Sequence, residues 1–362
     1  MKLIKLVPFA GVSIVLGTAI LSAIGQAPAA AQPSDGPWVP VKTIDFSSKH
    51  DVLILNPDGT LIPMDQPYYT SKKIAAGTWQ IMGDGDYCYL VEGDKEAIMI
   101  DGGYGAGDIR EYAQSLTKKP LRYIANTHSH GDHTSNDAYF DLAYMSEGTK
   151  EHLPKPGVPP KGVPFPMNFP IQVIDEGYKF QLGNRELEAI MLGNHAVGST
   201  AYLDRKARIL YSGDDIMGQQ GVAIHVSIEQ FAKMMEKLEA HRSEYDTICA
   251  GWEILDATWV DKYLALAKSI LAGHEGVLAS QAPPAPLPDG WPTTLAPTDP
   301  QGRTVYIRHV PHGAGVVPPG GVPGLGQAPA SGGPGGAAAN DNIMRATLDG
   351  ATVTYDRNKI KD

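Results

Sequence analysis

The sequence lacks any cluster of lysine and arginine residues and has an excess of acidic ones. Its 30 Lys and Arg residues, against 40 Asp and Glu residues, give a formal net charge of −10 at pH 7. Removal of residues 1–31, which contain two lysines and no acidic residue, would change this charge to −12. Because an acidic surface repels polyanions, we do not expect the protein to bind nucleic acid.

Cysteine is also scarce, since the 362 residues include only Cys88 and Cys249. Both lie in segments with the pattern of β-strands, and these strands would belong to different halves of the fold. We therefore expect two buried free thiols. The alternative is a disulfide between the two cysteines, which an oxidising compartment would permit.

The first 31 residues have the three parts of a secretory signal peptide. Lys2 and Lys5 precede an apolar run from about residue 6 to residue 24, and a small-residue cleavage site ends at Ala31. The alternative is an uncleaved membrane anchor, since about 19 apolar residues nearly span a bilayer. A proline and two glycines interrupt the run, however, and no cysteine is present for lipid attachment. We expect a periplasmic or secreted protein without stable membrane insertion after cleavage.

The remaining chain is predicted to comprise an N-terminal lead (residues 32–75), a central domain (76–276) and a C-terminal extension (277–362). The lead contains a hairpin around the turn at residues 57–59. In the central domain, short strands are followed by an amphipathic helix twice over. This order predicts an α+β fold in which two sheets pack face to face with helices outside.

Two segments rich in proline and glycine interrupt this pattern. Residues 147–170 show no periodicity and are predicted to form a loop over the site. Much of residues 281–340 cannot bury enough apolar surface to fold alone. The strand-like pieces 303–308 and 345–355 could pair with each other or extend a sheet. We expect the extension to modulate the chemistry rather than to carry it.

The densest chemical signal is the run Thr-His-Ser-His-Gly-Asp-His at residues 127–133, directly after an apolar strand-like segment. It contains three of the 11 histidines of the chain. Imidazole and carboxylate groups are the ligands that zinc and similar divalent metals prefer. His128 and His130 can point the same way in an extended loop, whereas Asp132 and His133 lie about one turn further along. The run therefore predicts two adjacent metal sites at one sheet edge.

Further elements extend this run to the pattern of the metallo-β-lactamase superfamily, which the chain resembles over roughly residues 76–276. An early strand ends at Asp101, His195 precedes a Gly-Ser-Thr sequence, and Asp214 follows a glycine at the end of another strand. The last element of the family, Gly-His, is replaced here by a glycine and Trp252. The resemblance implies a four-layer αββα sandwich, the metallo-β-lactamase fold, with a Pro/Gly-rich C-terminal extension.

The resemblance also implies two sets of metal ligands. The first is a three-imidazole site with an open position for water: His128, His130 and His195. The second forms a neighbouring site: Asp132, His133 and Asp214. Zinc would lower the pKa of the water to roughly 7, Asp214 would bridge both metals, and Asp132 would orient the attacking water. Asp101 is expected to brace neighbouring groups rather than to bind metal. Three other histidines are expected to be ordinary structural or surface residues: His225, His241 and His274.

The replacement at position 252 predicts an incomplete second site. An indole cannot replace an imidazole on zinc, so we expect one tightly bound zinc ion and a second, weaker one, with Trp252 as an apolar wall of the pocket. Glu253 could supply an oxygen only with a local twist at Gly251, because adjacent strand residues face opposite ways. His309 and His312 are expected at the surface, with a role as substitute ligands as the alternative.

The residue at position 214 separates branches of the family. In one β-lactamase subclass this position is a cysteine followed three residues later by a lysine, whereas this chain has Asp214 and Met217. A bridging aspartate resembles the lactonase, thioesterase and glyoxalase-II-like branches. The resemblance implies an exported zinc-dependent hydrolase that uses zinc-bound hydroxide to open an ester, lactone, thioester or amide of a small molecule. Three alternatives stay open: a β-lactamase proper, a mononuclear iron oxygenase and a metal-poor binding protein of the same fold.

Overall fold

The structure is a computed structural model. It describes residues 52–55, 61–63, 69–82, 87–103, 108–153, 169–282, 305–307 and 342–362. The predicted signal peptide lies outside the described residues, as do His309 and His312 and most of the Pro/Gly-rich extension. None of the described helices is long and apolar enough to cross a membrane.

A small sheet joins the N-terminal lead to the C-terminal extension. Its strands β1 (Val52–Leu55) and β2 (Leu61–Pro63) pair antiparallel, as the predicted hairpin requires. The second neighbour of β1 is β18 (Val305–Ile307), also antiparallel. The strand-like piece predicted at residues 303–308 therefore pairs with the lead and not with the piece at 345–355.

Seven strands form the first large sheet, in the order of the chain. They are β3 (Thr70–Ala75), β4 (Thr78–Met82), β5 (Tyr87–Glu92), β6 (Ala97–Ile100), β7 (Leu121–Ala125), β8 (Leu142–Met145) and β9 (Ile171–Val173). Strands β3 to β6 are antiparallel to one another, whereas β6 to β9 run parallel. Because the carboxyl ends of parallel strands meet at one sheet edge, the residues that follow β6 and β7 lie side by side.

Six strands form the second large sheet. They are β10 (Lys179–Gln181), β11 (Glu186–Met191), β12 (Thr200–Asp204), β13 (Ile209–Gly213), β15 (Thr247–Ala250) and β16 (Ile254–Asp256). Strands β13 and β15 are parallel neighbours. Asp214 and Gly251, the residues that follow them, therefore lie at the same edge.

The five described helices are α1 (Ile109–Leu116), α2 (Gly131–Thr134), α3 (Glu147–Glu151), α4 (Ile228–Ala240) and α5 (Thr258–Leu271). Three of them, α1, α4 and α5, cover the outer faces of the two large sheets. Apolar residues of α1 pack on the first sheet, and those of α4 and α5 pack on the second. In β13, Leu210 faces the helices while Ile209 and Tyr211 face the first sheet, as the two-residue period of a strand requires. The predicted α+β fold with four αββα layers is confirmed.

Two helices begin at the predicted capping residues. Asp108 Oδ1 accepts a hydrogen bond from the backbone N–H of Glu111 at 2.9 Å, and Ser227 Oγ accepts one from Gln230 N at 3.0 Å. Each bond satisfies a backbone donor that has no partner within the helix. The buried methionines of α4 belong to the apolar cluster that it shares with α5, which confirms that they fill the core.

The segment predicted as a loop from residue 147 begins instead with the short helix α3. Ser146 Oγ accepts a hydrogen bond from the backbone N–H of Thr149 at 3.0 Å. This cap offsets the cost of the first helical turn. The sequence analysis missed the helix because it has no apolar periodicity. Residues 154–168 lie outside the described residues.

The chain ends in a four-stranded sheet. It contains β14 (Val222–Ala223), β17 (Val277–Leu278), β19 (Ile343–Leu348) and β20 (Ala351–Asp356). The piece predicted as one strand at 345–355 is a hairpin that turns at Asp349 and Gly350, whose φ angles are 49° and 86°. An Asp-Gly pair favours this two-residue turn because both residues tolerate a positive φ. Buried side chains of the hairpin join the apolar cluster of α4 and α5.

Candidate metal centre

The loops after β6 and β7 meet through Asp101. Its Oδ1 accepts a hydrogen bond from the backbone N–H of Thr127 at 2.7 Å, and its Oδ2 accepts one from Thr127 Oγ1 at 2.8 Å. Oδ2 also lies 2.9 Å from Nδ1 of His133. Both carboxylate oxygens of Asp101 are thus engaged with the histidine-rich loop, which agrees with a bracing role.

Three imidazoles converge at the edge of the two sheets. The Nε2 atoms of His128 and His195 lie 3.1 Å and 3.0 Å from Nδ1 of His130. His128 is buried, His195 is partly exposed and His130 is exposed. Because His195 comes from the loop between β11 and β12, this group exists only where both sheets contribute to one edge.

A second group of possible ligands shares His128 with the first group and adds His133 and Asp214. Asp214 Oδ1 lies 3.6 Å from His133 Nε2, and Asp214 Oδ2 lies 3.5 Å from His195 Nε2. Asp132 Oδ2 approaches His133 Nε2 less closely, at 3.9 Å. Asp214 therefore lies between the three imidazoles and His133, where one carboxylate can face two ions.

Three polar atoms of this centre are buried without a hydrogen-bond partner among the described residues. They are Asp132 Oδ1, His133 Nε2 and Asp214 Oδ1. Buried polar atoms are almost always satisfied in folded proteins. A convergent set of imidazole nitrogens and carboxylate oxygens is the donor set for a borderline divalent cation such as zinc. Five of the six residues predicted from the sequence converge in groups that fit a metal: His128, His130, His133, His195 and Asp214. Asp132, the sixth, belongs to neither group.

The electrostatics of the centre favour the metal-binding forms of His128 and Asp214. Burial and the neighbouring His133, His195 and His130 lower the pKa of His128, so that it stays neutral. Burial alone would raise the pKa of Asp214, but His133 and the other histidines lower it to about 2. A neutral imidazole and an ionised carboxylate are the forms in which these groups bind metals. Burial would lower the pKa of His133, but the neighbouring Asp101, Asp214 and Asp132 raise it, and burial raises the pKa of Asp132.

A residue missed by the sequence analysis, Asp215, fixes the loop of His195. Its Oδ1 accepts hydrogen bonds from the backbone N–H groups of Asn194 and His195 at 3.1 Å and 3.0 Å, and Ser199 bonds it through its side chain. Asp215 is only 1% exposed. The carboxylate thus holds the backbone that carries one of the three imidazoles.

The far end of the same loop is held at Gly198. The carbonyl oxygen of Gly198 accepts hydrogen bonds from Ser146 Oγ at 2.5 Å and from the hydroxyl groups of Thr149 and Thr200, both at 3.1 Å. Gly198 has a φ of 78°, and a Cβ there would lie 2.3 Å from Ser146 Oγ. Glycine is required both for the backbone angle and for this close approach.

Trp252 and Glu253 belong to neither group of converging ligands. Trp252 is partly buried and packs against the apolar cluster of α4 and α5. The carboxylate of Glu253 accepts a hydrogen bond from the backbone N–H of Gly218. A Cβ on Gly251 would lie 1.9 Å from Asp214 Oδ1, so a larger residue at position 251 would clash with the Asp214 carboxylate. Among the described residues, no further side chain completes the second site.

Comparisons with known proteins agree with this geometry. Residues 82–216 match the family model described as the metallo-beta-lactamase superfamily. The chain is 24% identical to an acyl-coenzyme A thioesterase of Gallus gallus, over 41% of this chain and 65% of that protein. It is 27% identical to a thioesterase of Emericella nidulans, over 54% of this chain and 55% of that protein. The matches thus span less than two thirds of these relatives.

Solved structures also match the chain at low identity. A metallo-beta-lactamase from Erythrobacter litoralis, with beta mercaptoethanol in its active site, is 17% identical and has a TM-score of 0.45. That match covers 57% of this chain and 99% of the solved one.

Proposed function

Since the chain belongs to the metallo-β-lactamase superfamily, we propose that it is a metal-dependent hydrolase whose substrates are thioesters of small acids. The observation that carries this proposal is the convergence of three imidazoles, in which the Nε2 atoms of His128 and His195 lie 3.1 Å and 3.0 Å from His130 Nδ1, next to the buried carboxylate of Asp214. Such a donor set would hold a divalent cation, which would act as a Lewis acid on a substrate carbonyl.

The residues at this edge would have different roles in binding metal and in activating water. His128, His130 and His195 would hold one divalent cation, and Asp132, His133 and Asp214 would hold a second, weaker one. Zinc, when bound, supplies a Lewis acid and lowers the pKa of a water molecule to roughly 7, so that a nucleophile is available at neutral pH. The unpartnered Oδ1 of Asp132 would orient the attacking water by accepting a hydrogen bond, and would then take up its proton.

Thioesters suit this site better than amides. A thiol has a pKa of about 8.5, so a thiolate leaves without a proton, whereas an amine must be protonated as it departs. Two relatives with thioesterase in their names support the same substrate class. Oxygen esters and lactones need less help than amides and would be secondary substrates.

We also propose that the enzyme acts outside the cytoplasm, in the periplasm or as a secreted protein. The support is the charged, apolar and small-residue order of residues 1–31. N-terminal sequencing of the exported protein should find Gln32 as the first residue. A mature chain that still begins at residue 1 would contradict cleavage.

A hydrolysis panel tests the proposed activity. Protein beginning at Gln32 is loaded with zinc and offered a thioester, a lactone, a β-lactam and a phosphodiester, before and after chelation. We expect thioesters to have the highest kcat/KM, chelation to abolish turnover and zinc to restore it. His128→Ala, His130→Ala and His195→Ala should each lower kcat by several powers of ten.

The matched control is His274→Ala, because His274 is an exposed histidine at the end of α5, outside both ligand groups. Its activity should equal that of the wild type. Full activity in any of the three ligand variants would overturn the mechanism. Iron in the purified protein with oxygen uptake would instead support an oxygenase.

A further inference from the structure

An exposed imidazole outside both ligand groups lies beside the metal centre. The ring of His225 is 6.3 Å, between centroids, from the ring of His195, and nearly perpendicular to it at 81°. The backbone N–H of His225 donates to Asn194 Oδ1 at 3.2 Å, and Asn194 Nδ2 donates to the carbonyl of Ala223 at 3.2 Å. Asn194 thus fixes His225 relative to the loop that carries His195.

The C-terminal segment runs along the same stretch of chain. The backbone N–H of Ile224 donates to Thr354 O at 2.8 Å, and that of Glu229 donates to Ile360 O at 3.1 Å. These bonds enclose residues 357–359, a single 3-10 turn, and place the exposed Lys359 near His225. Burial, His195 and then Lys359 lower the pKa of His225, which agrees with this proximity.

The charge of Lys359 is not neutralised within the described part of the chain, where it forms no ion pair. The nearby carboxylates are engaged elsewhere, since Lys233 Nζ lies 3.0 Å from Glu229 and 3.7 Å from Asp362. A protein with a net charge of −10 therefore has an ammonium group without an ion pair on the segment that runs beside His225, whose ring lies 6.3 Å from that of His195.

We propose that His225 and Lys359 together bind an anionic oxygen group of the substrate, a carboxylate or a phosphate, on the part that extends past His195. This inference rests on the proposed function, which places the thioester carbonyl at the metal centre. The imidazole would donate one hydrogen bond and the ammonium group would supply the charge, a combination typical of oxyanion recognition.

Matched thioesters of one acid test this site. The leaving thiol is N-acetylcysteamine, which is neutral, 3-mercaptopropionate, which has a carboxylate, or 4′-phosphopantetheine, which has a phosphate. In Lys359→Gln, the ratio of the KM of an anionic thioester to that of the neutral one should rise about fivefold, the size expected for an exposed charge pair. In Lys359→Arg the KM ratio should be close to that of the wild type. Added salt should reduce the difference in this ratio between the wild type and Lys359→Gln.

Comparison of the carboxylate and phosphate thioesters distinguishes the two kinds of anion. The thioester whose anionic group matches that of the natural substrate should show the larger change in the KM ratio. The control is Lys361→Gln, an exposed lysine two residues further on, which should leave the ratio unchanged. His225→Gln should change the ratio in the same direction as Lys359→Gln. Equal KM changes for neutral and anionic thioesters, or no change in the ratio, would overturn the proposal.

A binding measurement separates this site from the proposed activity. Thioether analogues of the same three compounds, which cannot be hydrolysed, are titrated into the zinc-loaded protein by calorimetry. Weaker binding of only the anionic analogues in Lys359→Gln would support the site even if no thioester is hydrolysed. Anionic analogues that bind no better than the neutral one in the wild type would exclude it.

Discussion

Asp101 and His133 form a buried pair in which the carboxylate Oδ2 lies 2.9 Å from the ring Nδ1. The opposite ring nitrogen, Nε2, is thereby directed at Asp214, 3.6 Å away. Asp101 also has a φ of 59°, a conformation in which asparagine and aspartate are the best tolerated residues with a side chain. The pair therefore couples an unusual backbone position to the orientation of one candidate ligand.

We predict that Asp101→Asn weakens metal binding about 10- to 100-fold, the usual effect of removing the partner of a ligating histidine. Asparagine keeps the backbone angle and removes the negative charge. Competition with a chromophoric chelator measures the affinity. Asp94→Asn, an exposed aspartate beyond the other end of the same strand, is the control, and unchanged affinity in Asp101→Asn would show that the brace is dispensable.

The second metal site should be the weaker one. We predict that the purified protein retains close to one tightly bound metal ion, because no fourth side chain completes the second site among the described residues. Trp252→His should tighten the second site. Metal analysis after dialysis at several zinc concentrations gives the stoichiometry. Two tightly bound ions in the wild type, unchanged in Trp252→His, would mean that another group completes the site.

Removal of the C-terminal extension should lower stability without removing the ligands. A chain that ends at Ser280 lacks the hairpin β19–β20, whose Met344, Val353 and Tyr355 are buried. At roughly 1.5 to 3 kcal/mol for each buried side chain, we predict a loss of at least about 4 kcal/mol in the free energy of unfolding. Metal should still bind where the chain is folded.

A deletion of residues 309–340 alone, bridged by a short glycine-serine linker, keeps the hairpin and serves as the control. Denaturant unfolding and metal analysis are compared for the two proteins. If both lose their metal, His309 or His312 is a ligand. If only the chain ending at Ser280 loses it, the hairpin supports the centre through β14, its parallel neighbour.

Glu96 should make the protein less stable as the pH rises. It is 6% exposed, its Oε2 has no hydrogen-bond partner among the described residues, and burial raises its pKa to about 7, against the attraction of Arg122 and Lys95. The folded chain then holds a proton that the unfolded chain loses near pH 4.5. Stability therefore falls between about pH 4.5 and pH 7, by about 3 kcal/mol in all.

We predict that Glu96→Gln is more stable than the wild type at pH 8 and that the difference disappears near pH 4. Thermal unfolding at both values measures it, with Glu151→Gln, an exposed glutamate, as the control. A variant that is equally stable at pH 8 would show that Glu96 is well accommodated as an anion.

The local sequence was sufficient to predict the candidate ligands, five of which converge, but not the residues that support them. The run from His128 to His133 lies within one loop, so its chemistry is visible in a few residues. Asp215 binds the backbone of residues about 20 positions away, and no local pattern marks such a contact. The proximity of His225 to Lys359 likewise depends on the pairing of β14 with β20. The turn at Asp349 and Gly350 had a recognisable signature that the strand-like residues around it obscured.

The contribution of both sheets to one edge has a consequence for folding. His128, His130 and His133 follow a strand of the first sheet, whereas His195 and Asp214 follow strands of the second. A cation bound by these groups would bind the native chain and not the unfolded one. The packing of the two sheets against each other would then depend on the concentration of free metal. Above the dissociation constant, each tenfold rise in free metal would then add about 1.4 kcal/mol to the free energy of unfolding. The supply of the metal would thus set the fraction of the protein that is folded.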